Sequence, residues 1–299
     1  MRSRAALFLE SLILTLLLLL PMIGVVQFFA VQRRQQEELR QANAADSGVV
    51  VDPGSKVVRT VLTAVQQENP AFVLVRVDAP AAAITFCALP GSMQVAAPAG
   101  TTTLADCYLT AGPARAVQLL GETVGAQPDR YLAATPAVLA GLWPDGITAR
   151  LDTAAYLTED AREQKGLTDQ TVLEIPPATA ETALADLGAD QTAPTAARLR
   201  AGYWCALFRQ HPEQLPELVS GLRSAASRTL TDLPAQELNE LEQAFRYLAG
   251  LPEITVDTEA LPFTSQPGGE WELTEDGAEE LRGLLGASET QEFQAQPSA

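Results

Sequence analysis

The chain has 299 residues, 47% of them hydrophobic, and a formal net charge of -17 at pH 7. Five arginines and three glutamates fall in residues 1–40, so residues 41–299 hold -19, which repels polyanions and excludes the basic footprint that nucleic-acid binding requires. Lysine occurs twice, at Lys56 and Lys165, which removes most lysine-based catalysis, and the length suffices for one large domain or two small ones.

From Ser11 to Val31 there is no charged side chain, and at the helical rise this run spans about 30 Å, the hydrocarbon thickness of a bilayer. A soluble core helix would carry a polar stripe at period 3.6, whereas Leu16 to Leu20 is apolar all round. A cleaved signal peptide is the nearer competitor, because Arg2 and Arg4 precede the block. The block is too long for that, and Ala30, the small residue near its end, has bulky Phe28 at the minus-three position. The expectation is a short cytoplasmic N-terminus, 1–10, a transmembrane anchor, 11–31, and a polar stalk and linker, 32–56. Arg33, Arg34 and Arg40 follow the run, so the positive-inside count alone does not decide orientation.

Three β-rich runs come next, beginning at Val57, Phe72 and Ile84, and turn formers between them make them adjacent strands of one sheet. A helix is expected from Pro113 to Gly125, then a strand at Asp129 to Ala134, a helix from Thr135 and a strand from Gly146. Beyond Ala178 the pattern turns helical: a run from Ala178, a long one from Pro194 broken near Pro212 and Pro216, and another from Pro234. A last strand from Glu253 and a last helix from Glu275 close residues 57–286. The alternation predicts an α/β domain, a mixed central sheet flanked by helices, with the strand at Ile84 central and the helix from Pro113 on one face. The tail, 287–299, has little apolar content and is expected to be disordered.

Compact chemical signatures are missing: no GxGxxG, Walker loop, HExxH, GxSxG or EF-hand spacing occurs. Cys87, Cys107 and Cys205 form no CxxC, so no zinc site is expected, and three buried thiols are favoured over a disulfide. His211 precedes Pro212 at a helix break, a place for a structural histidine more than for a triad base.

The order of segments resembles the LytR-CpsA-Psr (LCP) family of bacterial envelope proteins. The clearest stretch is 103–151, where Tyr108, Gly112, Pro113, Gly125, Asp129, Tyr131 and Gly146 match the family pattern. TFCALPGSMQV resembles the strand and loop reading Ser-Ile-Pro-Arg-Asp-Thr in the family, ETALADLGAD its Gly-x-x-Ala-Leu-x-Tyr-x-Arg-x-Arg helix, and AARLRAGYWCAL the Arg-rich start of the next helix. The resemblance implies one N-terminal transmembrane helix, an extracytoplasmic α/β domain, and transfer of glycopolymers from a polyprenyl-pyrophosphate carrier to peptidoglycan, with a carboxylate or Mg²⁺ managing the attacking hydroxyl.

This sequence departs from the pattern where that chemistry resides. A pyrophosphate needs guanidinium forks. Gly91 and Ser92 stand where the family has Arg and Asp, Asn69 and Pro70 lie at an Arg-Ser-Asp segment, Gly188 and Asp190 fall on paired arginines, and Asp186 falls on the tyrosine. Arg198 and Arg200 are the basic pair left in a matching region and the candidate ligand-binding residues; Arg115, Arg130 and Arg150 are the cations from which a clamp would have to be rebuilt. Asp106 beside Tyr108 is a base by position, and Ser92 a nucleophile by position with no nearby base. No catalytic residue is therefore assigned. The expectation is a membrane-anchored envelope protein, catalytically degenerate, with no cofactor, binding or scaffolding with a cell-wall glycopolymer, polyprenyl lipid or peptidoglycan. The alternatives are an active transferase, which would use Mg²⁺, and an unrelated anchored structural protein.

Overall fold

The computed structural model describes residues 52–98 and 100–286; the apolar run 11–31, most of the stalk and the tail 287–299 lie outside them. Among the described residues no helix is long and apolar enough to cross a membrane. The three β-rich runs are antiparallel neighbours, β1 (Val58–Val65), β2 (Ala71–Asp78) and β3 (Ala83–Leu89), with Leu62 opposite Leu74 and Leu74 opposite Cys87. A hairpin that the sequence pattern does not signal follows, β4 (Gln94–Ala97) and β5 (Gly100–Thr103).

Helix α1 (Leu104–Val124) starts nine residues before Pro113, because Thr103 caps it: Thr103 Oγ1 accepts from the Asp106 N–H at 3.0 Å. Proline still governs the helix. The backbone leaves helical geometry at Gly112 (φ 81°, ψ 178°), a conformation open to glycine, and Pro113 begins the second segment. Strand β6 (Arg130–Ala134) then pairs parallel with β1. Helix α2 (Pro136–Ala140), strand β7 (Ala149–Asp152), helix α3 (Glu159–Gln164) and strand β8 (Val172–Ile175) follow, β7 and β8 pairing antiparallel in a separate two-stranded sheet.

The helical stretch comprises α4 (Ala180–Gly188), α5 (Ala193–Gln210) and α6 (Leu215–Ser224), interrupted at Pro212 as the sequence implies. After β9 (Thr229–Thr231) come α7 (Ala235–Ala249) and β10 (Thr255–Glu259). The expected last strand divides at Leu261-Pro262, so that β11 (Phe263–Ser265) pairs with β12 (Trp271–Leu273) in its own hairpin before α8 (Glu275–Leu284).

The main sheet has the order β10-β3-β2-β1-β6-β9, parallel at β10/β3 and β1/β6 and antiparallel elsewhere. It is the mixed sheet expected, but β3 is not its centre: β6 and β9 both add beyond β1, so β1 and β2 occupy the middle. Side chains alternate between two cores. Leu62, Leu74, Cys87 and Leu89 meet Leu104, Leu120 and Leu281 of α1 and α8 on one face. Val73, Val77, Phe86 and Ala88 meet Leu199, Tyr203, Leu207, Leu241 and Phe245 of α5 and α7 on the other. Cys87, Cys107 and Cys205 are buried free thiols.

Candidate functional site

Short turns set the geometry of one end of the sheet. The β1–β2 turn, the loop leaving β3 and the start of α1 converge there, facing α4 and α5, and enclose a cleft of about 540 Å³, within the range of about 300–1,000 Å³ for small-molecule sites. Asn69, Pro70, Gly91, Ser92 and Arg200 all line it. The segments that carry the family resemblance therefore meet in space, although they are far apart in sequence.

Each position is filled in a way that displaces phosphate chemistry. A Cβ on Gly91 would lie 2.9 Å from the Pro70 carbonyl oxygen and 3.3 Å from Ala105 Cβ, so backbone occupies the space through which a side chain would enter the cleft. Ser92 Oγ is buried and has no hydrogen-bond partner. No base approaches it; a deprotonated nucleophile would have nowhere to send its proton. Arg200 is the guanidinium on the cleft wall, and Glu181 of α4 already holds it: Nε lies 3.2 and 3.0 Å from the two carboxylate oxygens and Nη2 lies 3.0 Å from Oε2. Both side chains are largely buried, 13% and 11% exposed. Behind them the Tyr203 hydroxyl is buried without a partner, and burial, then the Glu181 charge, push its pKa up.

Arg198 does not join Arg200. Residues two apart on an α-helix point roughly 200° apart. Arg198 is exposed, and with Arg209 its charge acts on Tyr156, which packs against the Gly202 face of α5. The other candidates also lie elsewhere. Asp190 pairs with Lys165 at 3.5 Å, and Lys165 Nζ donates to the Asp186 carbonyl at 2.8 Å, capping the end of α4. Gly188 marks a close helix contact, a Cβ there falling 3.0 Å from Ala196 Cβ. Arg115, Arg130 and Arg150 pair with Glu122, Glu237 and Glu174. Asp106 accepts from the Thr103 hydroxyl at 2.7 Å in the α1 cap. Tyr108 packs edge-on to Phe72 with centroids 5.5 Å apart, and burial pushes its phenol up. His211 Nε2 lies 2.9 Å from the Thr148 carbonyl oxygen, a structural tie at the end of α5. Glu181, which decides the charge of the wall, escaped sequence reasoning because its partner lies in another helix.

Among the described residues no group of three or more His, Cys, Asp or Glu side chains could hold a metal ion. The resemblance implies Mg²⁺ for transfer, and that ion takes carboxylate and phosphate oxygens. The cleft offers a single carboxylate on its lining, Glu68, at the exposed rim, so the residues present do not fit a protein-held Mg²⁺. A second, apolar cavity of about 110 Å³ lies between the sheet and α5, α6 and α7, lined by Val65, Val73, Phe86, Trp204, Phe208 and Phe245 among others. Trp204 stands one helical turn beyond Arg200 of the cleft wall.

The same architecture recurs in solved structures. TagT of Bacillus subtilis superposes with a TM-score of 0.56 at 13% identity, covering 79% of this chain and 94% of TagT. TagV of Bacillus subtilis gives 0.54 at 11%, covering 77% and 96%. The chain has the fold of LCP proteins. A transcriptional regulator from Enterococcus faecalis also matches, with a TM-score of 0.58 at 13% identity, covering 79% of this chain and 90% of that one. TagT has in addition been crystallised bound to LI-WTA. No protein-family model matches the sequence, and no curated protein matches it. The LCP-like chain thus shares a scaffold with these proteins at an identity that leaves its site to be judged on its own residues.

Proposed function

We propose that this LCP-like chain is a cell-envelope protein, anchored by residues 11–31 with its α/β domain outside the cytoplasm, that binds a cell-wall component in its cleft and does not transfer glycopolymer. The fold supports the envelope role, and the charge-free run of bilayer length supports the anchor. The observation that carries the reading against transfer is the missing phosphate clamp: the charge of Arg200 is paired with Glu181, and Pro70 backbone crowds the position of Gly91. Transfer from a pyrophosphate carrier draws on preorganised donors, and loss of one commonly costs on the order of a hundredfold in rate.

The test uses the full chain in detergent micelles with a polyprenyl-pyrophosphate-linked glycopolymer, peptidoglycan and Mg²⁺. The expected result is co-sedimentation with peptidoglycan and no transfer or phosphate release. Transfer above the protein-free rate overturns the reading. Protease added to intact spheroplasts should remove the large domain, and its protection would refute the topology.

One observation favours the active transferase as a second reading: an apolar cavity lies between the sheet and the helices, as a lipid carrier requires. Its volume argues for the first. About 110 Å³ is less than the roughly 150 Å³ of a cavity that takes one benzene, so a polyprenyl chain enters only if residues such as Trp204 and Phe208 move.

A further inference from the structure

Glu181 holds Arg200 by one edge only. The Arg200 Nε donates to both carboxylate oxygens, whereas Nη1, and Nη2 at 3.0 Å from Oε2, donate a hydrogen bond to no described residue. Among the described residues the side-chain polar atoms that are both enclosed and unpartnered are Ser92 Oγ, Arg162 Nε and the Tyr203 hydroxyl. Neither Nη1 nor Nη2 is one of them, so both amino groups reach open surface although the side chain is only 13% exposed, and the surface that Arg200 borders is the cleft. The guanidinium thus turns an edge of unused donors to the cleft, in a direction fixed by Glu181.

We propose that the cleft binds a single carboxylate carried next to a methyl group, as at the end of an alanyl peptide or on the lactyl arm of a muramic-acid sugar, with Nη1 and Nη2 of Arg200 as its donors. The inference rests on the binding reading above and names its ligand class. A planar carboxylate matches the two amino groups of a guanidinium edge, and charge-assisted bonds of this kind are the strong ones. The charge count selects against pyrophosphate. Glu68 at the rim and Glu181 behind Arg200 set two carboxylates against one cation, a balance that tolerates one further negative charge better than several. The walls set the size of the neighbouring group: Pro70, Ala105, Ala185, Ala196 and Ala197 line the cleft with Arg200, and their short apolar side chains give a methyl group both room and contact.

Ligand-observed saturation-transfer NMR on the full chain in detergent micelles tests this with acetyl-alanyl-alanine, its C-terminal amide, and N-acetylmuramic acid. Wild type should give saturable binding of one or both acids, the tighter of the two identifying the source of the carboxylate. The amide should bind at least about tenfold more weakly than the peptide acid, and pyrophosphate at equal concentration should displace neither acid. Arg200→Lys keeps a cation beside Glu181 but replaces the two-pronged edge with one ammonium, and should weaken the acids about tenfold. Ala185→Leu, on the exposed part of the cleft wall, should weaken them by crowding. Arg198→Ala, on another face of α5, should leave them unchanged.

Equal binding of peptide acid and amide overturns the proposal, as does full affinity in a folded Arg200→Lys protein. If wild type binds neither acid while peptidoglycan co-sedimentation persists, the ligand class falls and the binding reading stands; loss of co-sedimentation as well removes both. Displacement by pyrophosphate at equal concentration overturns the charge argument and with it the choice of a carboxylate. If Arg200→Lys does not fold, the double variant Glu181→Leu, Arg200→Met removes both partners of the pair and should bind neither acid; retained binding there counts against the proposal.

Discussion

Thr60 and Asp129 bond each other three ways: Asp129 Oδ2 accepts from the Thr60 N–H at 2.8 Å and from its hydroxyl at 3.0 Å, and Thr60 Oγ1 accepts from the Asp129 N–H at 3.0 Å. Thr60 is 2% exposed, and the pair stands where β1 and β6 start their parallel register with Val61 opposite Arg130. Parallel neighbours have no hairpin to align them, so a side-chain lock takes that part. Thr60→Val strands the Asp129 N–H and should cost about 1–3 kcal/mol in urea denaturation. Asp129→Ala should cost a similar amount, and the double variant less than the sum, because both remove the bond from the Thr60 hydroxyl to the Asp129 carboxylate. Additive costs would show that the pair is not a unit. Asp129, a position of the family resemblance, is thereby a residue of the fold.

Two glycines should respond in opposite directions. At Gly91 a Cβ would lie 2.9 Å from the Pro70 carbonyl oxygen, a contact that backbone must shift to relieve, so Gly91→Ala should destabilise by about 1–3 kcal/mol. Gly283 lies within α8, and a methyl group added there would have nothing within 4 Å, so Gly283→Ala should stabilise by about 0.5–1 kcal/mol. Thermal melts of the two variants check both signs. The Gly91 result also bears on function, since it measures how firmly the loop closes the place where an arginine would enter.

The strands and helices were legible where period and punctuation agreed: Ala71–Asp78 is nearly all apolar between turns, and Pro212 ends a helix. The start of α1 was not, because Leu104–Ala111 carries mixed side chains and its helix depends on the Thr103 cap; β4, β5 and β8, four residues each, are too short for a clear alternation. The cleft was half legible. Asn69, Gly91, Ser92 and Arg200 could be marked from the segments that resemble a family, but their convergence depends on how the turns and α5 pack. Glu181 could not be marked at all, since a pairing nineteen residues apart between two helices leaves no local pattern. The split of Arg198 from Arg200 needed only the period of a helix, once Ala193–Gln210 was known to be one.

Stability should fall at alkaline pH in a way that one thiol helps to set. Cys205 is 4% exposed and its Sγ donates to the Val256 carbonyl at 3.2 Å; burial pushes its pKa from 9.0 to about 11. Above pH 9 the unfolded chain loses this proton while the folded chain keeps it, so the unfolded state binds fewer protons and folding stability declines as pH rises. The contribution, full below pH 9, is withdrawn between pH 9 and 11 and amounts to about 2–3 kcal/mol. Cys87 and Tyr203 are shifted in the same direction by burial and steepen the decline. Urea denaturation from pH 8 to 11 should show Cys205→Ala with a shallower slope than wild type. Parallel slopes would mean that Cys205 does not hold its proton in the fold.

Arg198 and Arg200 should separate cleanly in stability although only Leu199 lies between them. Arg198 is exposed on the Tyr156 side of α5, and an exposed charge of this kind changes stability by no more than about 0.5 kcal/mol when removed. Arg200 is 13% exposed, its Nε donates to both oxygens of a Glu181 that is 11% exposed and its Nη2 lies 3.0 Å from Oε2, so Arg200→Ala leaves a nearly buried carboxylate without its partner. Breaking one side of such a pair costs about 3–5 kcal/mol, whereas replacing both sides by apolar groups of similar size is often neutral. Chemical denaturation should therefore place Arg198→Ala beside wild type and Arg200→Ala well below it, with the double variant Glu181→Leu, Arg200→Met recovering most of the loss. Equal small effects of the two alanine variants would mean that Arg200 is solvated and available, and the cleft would then regain a cation able to meet a phosphate.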